Sequence, residues 1–164
     1  VVLILETKQI IDTFYRTIKP RKDAVIDKKC MDNFWKKNPE QWKNVNKDTV
    51  TAQEAMQDLS TWLNKYSKLY IIKWVASPSN FDWMFLKCYY ENYGPDKKYD
   101  IGFFCHDLSS LVRAYIIMNN ITDKKNFMIE LSENFKYTHN ALDDAMYQGI
   151  VYINLRHLLS GNFY

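Results

Sequence analysis

The residues best suited to chemistry lie in YTHNALDDAMYQG, which runs from Tyr137 to Gly149 and contains His139, Asp143 and Asp144. Carboxylate oxygens are the ligands that Mg²⁺ prefers, and a histidine can exchange a proton near neutral pH. The same residue types are also typical of an ordinary helix start, where acids complement the helix dipole. If His139 were helical, it would share a face with Asp143 at i,i+4 spacing. If it precedes the helix, that pairing does not apply.

Two further acids stand next to apolar segments. Asp82 lies in ASPSNFDWMFL, where a strand gives way to a helix. An acid in the first turn of a helix needs no function, but ligands of open α/β sheets bind beyond the carboxyl ends of strands, which is where this turn belongs. Glu6 follows VVLIL and is interpreted as a solvated acid at a hairpin turn. The pair Cys105 and His106 has no second pair at ligand spacing, so a zinc site is not indicated.

Length and composition indicate one globular domain over residues 1–164, with 47% hydrophobic and 25% charged residues. The net charge of +3 permits a polyanionic partner without requiring one. The three cysteines are odd in number and widely spaced, which favours a reducing, intracellular (cytoplasmic) setting. No apolar run approaches the roughly 18 residues of a membrane span, so no membrane partner is expected. Glycine-rich phosphate loops and G-x-S-x-G nucleophile motifs are absent from the sequence.

The first third of the chain predicts a hairpin followed by helices. Residues 1–5 read as a buried strand and residues 9–20 as a second strand that Pro20 stops. A polar, Lys-rich loop follows, and then short helical pieces over residues 30–45 that break near Pro39. Thr51 and Glu54 form a T-x-x-E capping box at the start of a clear amphipathic helix.

The rest of the chain alternates strands with helices. Residues 68–77 predict a strong strand, and a helix follows that begins near Ser79 or Asn80 and stops at Gly94. IGFFCHD predicts a short strand whose Asp107 caps a helix over residues 108–118. A loop and a long helix over about residues 140–159 complete the chain. This alternation indicates an α/β domain with a mixed sheet flanked by helices.

Together these stretches resemble the DEDDh family of 3′–5′ exonucleases, which includes ribonuclease T and oligoribonuclease. HNALDD matches the H-x-A-x-x-D motif of that family, with His139 as the histidine and Asp144, not Asp143, as the final aspartate. SNFDWMFL resembles its second motif and places Asp82 there. IIDTFYRTIKP, MDNFWKKNPEQW and FFCHDLSSLVRAY resemble other segments, so the likeness covers nearly the whole chain.

The resemblance implies a ribonuclease H-like fold and two-metal hydrolysis of phosphodiester bonds. Asp82 and Asp144 would bind two Mg²⁺ or Mn²⁺ ions, and His139 would accept the proton of the attacking water. The substrate would be the 3′ end of single-stranded RNA or DNA, with RNA favoured, and the family leaves room for a homodimer. Phe81 and Trp83 flank Asp82 and are candidates for stacking on terminal bases, although side chains at these positions are equally typical of a core.

One departure from the family concerns its opening Asp-x-Glu motif, which this sequence lacks. Aligning ILE with that motif puts Ile4 where the aspartate belongs. We therefore expect VVLIL to be the second strand, and the first strand to precede Val1. In that fold the first strand lies centrally, between the hairpin and the strand over residues 68–77.

Two functions from different classes follow. The first is a metal-dependent 3′–5′ exonuclease that acts on single-stranded nucleic acid. The second is a catalytically inactive nucleic-acid-binding or interaction module that kept the fold and lost its first carboxylates. The absent Asp-x-Glu motif is the feature that favours the second function.

Overall fold

The computed structural model describes residues 2–133 and 135–161, which form a mixed α/β chain. Its strands are β1 (Val2–Ile4), β2 (Ile10–Thr13), β3 (Val75–Ala76) and β4 (His106–Asp107). Its helices are α1 (Lys28–Asn33), α2 (Pro39–Val45), α3 (Ala52–Tyr66), α4 (Ser79–Tyr93), α5 (Leu108–Met118), α6 (Lys124–Ser132) and α7 (Ala141–Gly161). None of the helices in the described ranges is long and apolar enough to cross a membrane.

The predicted opening hairpin is present. Strands β1 and β2 pair antiparallel, and Lys8 turns the chain with a left-handed φ of 68°. The Lys8 N–H donates to the carbonyl of Leu5 at 2.8 Å, which closes the turn. Strand β2 is shorter than the predicted segment of residues 9–20, because the pairing with β1 ends at Thr13. Further along, Ile18 forms a parallel bridge with Val50 instead. Val1, included in the first predicted strand, lies outside the described residues.

Helix α3 begins and packs as its sequence predicts. The Thr51 hydroxyl accepts from the Glu54 N–H at 3.2 Å, while the Glu54 carboxylate accepts from the Thr51 N–H at 2.8 Å. This capping box satisfies backbone donors that the first helical turn leaves free. Leu59 and Leu63 lie on the buried face of the helix and pack in one hydrophobic core with Tyr90 of α4.

The strands in the middle of the chain are much shorter than predicted. Of residues 68–77, only the two residues of β3 are in a strand, where they pair parallel to β4. Of the expected strand IGFFCHD, only His106 and Asp107 are in β4. Residues 71–74 have no strand beside them on the side that faces the hairpin in the described structure, and Ile71 is 92% exposed. An apolar sequence without a hydrogen-bonding neighbour does not form a strand, and this is why the prediction was too long.

Asp107 holds the starts of two helices together. Its role as the cap of α5 was predicted, whereas its bond to the start of α4 was not. Its Oδ1 accepts from the Ser110 N–H at 2.7 Å, which caps α5. Its Oδ2 accepts from the Ser79 N–H at 2.6 Å, at the start of α4. One carboxylate therefore fixes the N-terminal ends of both helices next to β3 and β4.

The last third of the chain forms a second hydrophobic core around α7. Val151 and Leu155 of α7 pack with Leu108 of α5 and Leu131 of α6. Helix α6 lies in a segment that was expected to be a loop. Asp123 caps this helix by accepting from the Asn126 N–H at 3.0 Å. Its weak apolar periodicity hid it, because few of its residues are buried. The long final helix is confirmed.

The two pairs of strands do not form one sheet in the described residues. Strands β1 and β2 form one two-stranded sheet, and β3 and β4 form another. The α/β class is confirmed, whereas the single mixed sheet that was expected is not present. The reason is spatial: β1 and β3 face each other across a cavity and do not pair.

Candidate functional site

The cavity between the two small sheets has a volume of about 710 Å³. Residues 2–6 form one wall and residues 71–76 the other, and α7 runs along it. Asp82 and Asp144 both line this cavity although they are 62 positions apart in the sequence. Its walls are mostly apolar, so the polar groups it contains are concentrated at a few places.

Asp82 lies in the first turn of α4, as the sequence predicts. The residue is exposed overall, yet its carboxylate borders the cavity, and desolvation raises its pKa. Among the described residues this carboxylate has neither a hydrogen-bond donor nor a cation as partner. A carboxylate held without a partner is costly in a partly desolvated position, and a cation bound there would stabilise it.

Asp144 and Asp143 have different roles at the start of α7. The Asp144 Oδ1 accepts from the backbone N–H of Thr138 at 2.9 Å and of His139 at 3.2 Å. The Asp143 carboxylate instead accepts from the Thr138 hydroxyl at 2.7 Å and does not line the cavity. Asn140 caps the helix by accepting from the Leu142 N–H at 2.9 Å. The stretch is therefore a helix start, and it also presents one of its two aspartates to the cavity.

His139 precedes α7 and is exposed. Its φ of 63° is left-handed, a conformation that non-glycine residues rarely adopt. Because His139 is outside the helix, the i,i+4 pairing with Asp143 does not apply. Its imidazole contacts two aromatic rings, each nearly perpendicular to it: Phe34 at 5.1 Å and Tyr137 at 5.4 Å between centroids.

Tyr137 also belongs to this cluster, and it is not among the residues that the sequence motifs predict. Its side chain lines the cavity. Burial raises the pKa of its phenol, and the charges of Asp144 and Asp82, together with a hydrogen bond to Asp144, raise it further. The charges of both carboxylates therefore reach one phenol, and all three side chains line the same cavity. In the sequence, Tyr137 is marked only by standing two positions before His139, and this spacing matches no motif that would indicate a functional role.

Two of the other candidates, Trp83 and Glu6, also line the cavity, whereas Phe81 does not. Trp83 is half-buried and packs against Trp74, with ring centroids 5.3 Å apart. Phe81 is 59% exposed and contacts Phe85. Glu6 is exposed and forms a 2.6 Å ion pair with Arg156. Arg156 also lines the cavity, about 18 Å along the α7 axis from Asp144 at 1.5 Å per residue.

The donor atoms of the site fit a hard divalent cation in type but not in number. Two carboxylates, Asp82 and Asp144, face the same cavity, and carboxylate oxygen is what Mg²⁺ and Mn²⁺ bind. Within the described ranges, however, His, Cys, Asp and Glu side chains do not form any group of three or more that could hold a metal ion. The described residues thus supply part of a ligand set. They do not supply the second cysteine–histidine pair that zinc would need next to Cys105.

Comparison with known families gives one match. Residues 1–154 match the sequence model of the family described as the 3′–5′ exoribonuclease Rv2179c-like domain. The matched range includes Asp82, His139 and Asp144 together with all the strands. Comparisons with curated proteins and with solved structures gave no match.

Proposed function

Because the chain belongs to the 3′–5′ exoribonuclease Rv2179c-like family, we propose that it removes nucleotides from the 3′ end of single-stranded nucleic acid. RNA is the favoured substrate, since the family is described by an exoribonuclease activity. The observation that carries the proposal is that Asp82 and Asp144, from distant segments, line one cavity. The subtype we propose is DEDDh, with a ribonuclease H-like arrangement of its strands.

We assign metal binding to Asp82 and Asp144. Hydrolysis of a phosphodiester places negative charge on the scissile phosphate and on the leaving 3′ oxygen, and two bound Mg²⁺ or Mn²⁺ ions supply positive charge beside both. The unpartnered Asp82 carboxylate supports this assignment, because its raised pKa reflects desolvation without a compensating cation. Phe81 and Trp83 are the residues beside Asp82 that we propose contact the terminal base.

His139 is the proposed general base. It is exposed beside Asp144, whose carboxylate accepts its backbone N–H at 3.2 Å, so an imidazole and a proposed metal ligand share one loop. The neutral imidazole would take the proton of the attacking water, a role worth roughly 10²–10⁴-fold in rate. Phe34 and Tyr137 each contact the imidazole edge to face, which supports its position in the loop.

The remaining metal ligands would come from an Asp-x-Glu strand in the cavity. Both walls of the cavity carry extended segments, and β1 and β3 each have a paired strand on only one side. Backbone groups buried at such edges need partners, and neighbouring strands lie about 4.8 Å apart. We propose that a strand carrying this motif lies in the gap and presents its acids to Asp82 and Asp144.

The test is degradation of a 5′-labelled oligoribonucleotide by the full-length protein with Mg²⁺ or Mn²⁺. We expect stepwise shortening from the 3′ end, and no shortening when a 3′ phosphate blocks that end. Shortening of the blocked oligonucleotide would contradict the proposed polarity. A parallel DNA oligonucleotide tests the preference for RNA.

The second candidate function, a silent nucleic-acid-binding module, is favoured by one observation: the described residues hold no group of three metal-ligand side chains. The same assay separates the two functions. Binding of the oligonucleotide with Mn²⁺ present, without release of nucleotides, would establish the module and refute the exonuclease. Release of nucleotides would refute the module.

A further inference from the structure

Residues 28–45, from the start of α1 to the end of α2, form a segment that we call the aromatic arm. It contains Phe34, Trp35 and Trp42, and none of its described residues is buried. Its three aromatic side chains are half-buried and belong to neither hydrophobic core of the described structure. Aromatic side chains are enriched at binding interfaces relative to the rest of a protein surface.

The aromatic rings of the arm form a row that leads to the candidate base. Ring centroids are 5.1 Å apart from Trp42 to Trp35 and 4.9 Å apart from Trp35 to Phe34. Phe34 then lies 5.1 Å from His139. Gln41 fixes the arm to the same loop by donating to the carbonyl of Thr138 at 3.5 Å. The row of contacts is therefore continuous with the loop that carries His139.

The positive charge of the chain is concentrated in the same arm. It carries five lysines against two acids, a net charge of +3 that equals the net charge of the whole chain. The remainder of the chain is neutral overall. Lys36 pairs with Asp32 at 2.6 Å, while Lys37 and Lys43 have no ion pair within the described residues. Lysines interleaved with aromatic rings are the combination that holds single-stranded nucleic acid, through phosphate contacts and base stacking.

We propose that the aromatic arm is the platform for the nucleotides upstream of the scissile bond. Bases would stack on Trp35 and Trp42, and Lys37 and Lys43 would contact phosphates. This proposal rests on the proposed function, because it assigns the single-stranded substrate a path from the arm to His139. Stacking tolerates any base, so the arm would supply affinity for single strands and no sequence preference.

The first experiment measures the affinity of the full-length protein for a 5′-labelled eight-nucleotide RNA by fluorescence anisotropy, with EDTA present and the RNA checked for integrity. We expect Trp35→Ala and Trp42→Ala each to weaken binding at least about fivefold, the lower end of the effect of losing one stacked base. Trp35→Phe should retain most of the affinity. Phe104→Ala is the matched control, because Phe104 is 87% exposed and outside the arm; its affinity should be unchanged.

Two further measurements separate stacking from a merely structural role of the tryptophans. An RNA with abasic positions upstream of the 3′ nucleotide should bind wild type and Trp35→Ala with nearly equal affinity, because the stacking partner is then missing in both. The double variant Lys37→Gln/Lys43→Gln should reduce the slope of log affinity against log salt by about 1.4, near 0.7 for each phosphate contact.

Equal affinities of wild type, Trp35→Ala and Trp42→Ala would overturn the platform. So would an affinity loss of the same size on the abasic RNA, since that result would mean that the arm only supports the fold. An unchanged salt slope would remove the lysines from the proposal. If the wild type cleaves RNA while these variants bind normally, the platform alone fails; if the wild type neither binds nor cleaves, the proposed function fails with it.

Discussion

The adjacent aspartates at the start of α7 give the sharpest test of the site. Asp144→Asn and Asp143→Asn make the same chemical change at neighbouring positions, both in the first turn of one helix. Each removes one negative charge from the same helix end and keeps one oxygen acceptor. Any difference between the two variants must therefore come from what the two side chains face.

The structure predicts similar losses of stability for both variants. Asp144 accepts two backbone N–H groups in its loop, and Asp143 accepts the Thr138 hydroxyl. A hydrogen bond contributes about 0.5–1.5 kcal/mol and a charge at a helix end about 0.3–1 kcal/mol. We expect each variant to lose roughly 1–2 kcal/mol, which corresponds to a fall in Tm of about 2–8 °C for a chain of this size.

The two variants should differ strongly in activity. Only Asp144 faces the cavity with Asp82, so Asp144→Asn should remove a proposed metal ligand while Asp143→Asn should not. Stabilisation of transition-state charge by a bound ion is worth several kcal/mol. A loss of about 4 kcal/mol corresponds to a roughly thousandfold lower kcat/KM, whereas Asp143→Asn should stay within about threefold of wild type.

The assay is nucleotide release from a 3′-hydroxyl oligoribonucleotide by the full-length proteins, with thermal melting of the same samples as the control for folding. The reverse ranking, an active Asp144→Asn and an inactive Asp143→Asn, would show that the wrong aspartate was assigned. Normal activity in both variants would mean that this cavity is not where the chemistry occurs.

Three further predictions follow from single residues. His139→Asn should lower turnover at least about a hundredfold and change the affinity for the oligonucleotide little. Asparagine accepts a left-handed φ, so the melting temperature should stay near that of the wild type. Equal turnover in both proteins would show that His139 is not the general base. The pKa of Asp107 is held below its usual range by hydrogen bonds from Ser109, Ser79 and Ser110. The stability that this carboxylate contributes is therefore fully present above its unfolded pKa of about 3.9 and is lost as the pH falls through the lower folded value. Asp107→Asn should lower the free energy of unfolding in urea by roughly 1.5–3 kcal/mol at pH 7 and by less below pH 4. A difference in stability between variant and wild type that does not change with pH would refute this. Burial, with the charges of Asp107 and Asp82, raises the pKa of Cys105 to about 11. Iodoacetamide at pH 8 should therefore label the exposed Cys30 and Cys88 first, which mass spectrometry can measure. Early labelling of Cys105 would contradict its burial.

The sequence by itself determined the elements whose signals are local. The capping box of Thr51 and Glu54, the cap of Asp107 and the turn at Lys8 each satisfy backbone groups a few residues away. Such contacts are encoded in short stretches, and the start of α3 and both ends of α5 were predicted to the residue. The H-x-A-x-x-D motif likewise indicated an exonuclease, and family membership over residues 1–154 supports an activity of that kind.

The tertiary structure decided everything that depends on a distant partner. The strand predicted over residues 68–77 reduces to Val75–Ala76, because strand formation needs a neighbour and pairing extends only that far. Tyr137 lines one cavity with Asp82 and Asp144, and the charges of both carboxylates raise the pKa of its phenol. Phe34 lies beside His139 from 105 positions away, and that contact places the aromatic arm next to the proposed base. Side-chain type and spacing are readable along the chain, whereas these contacts exist only once packing has brought the segments together.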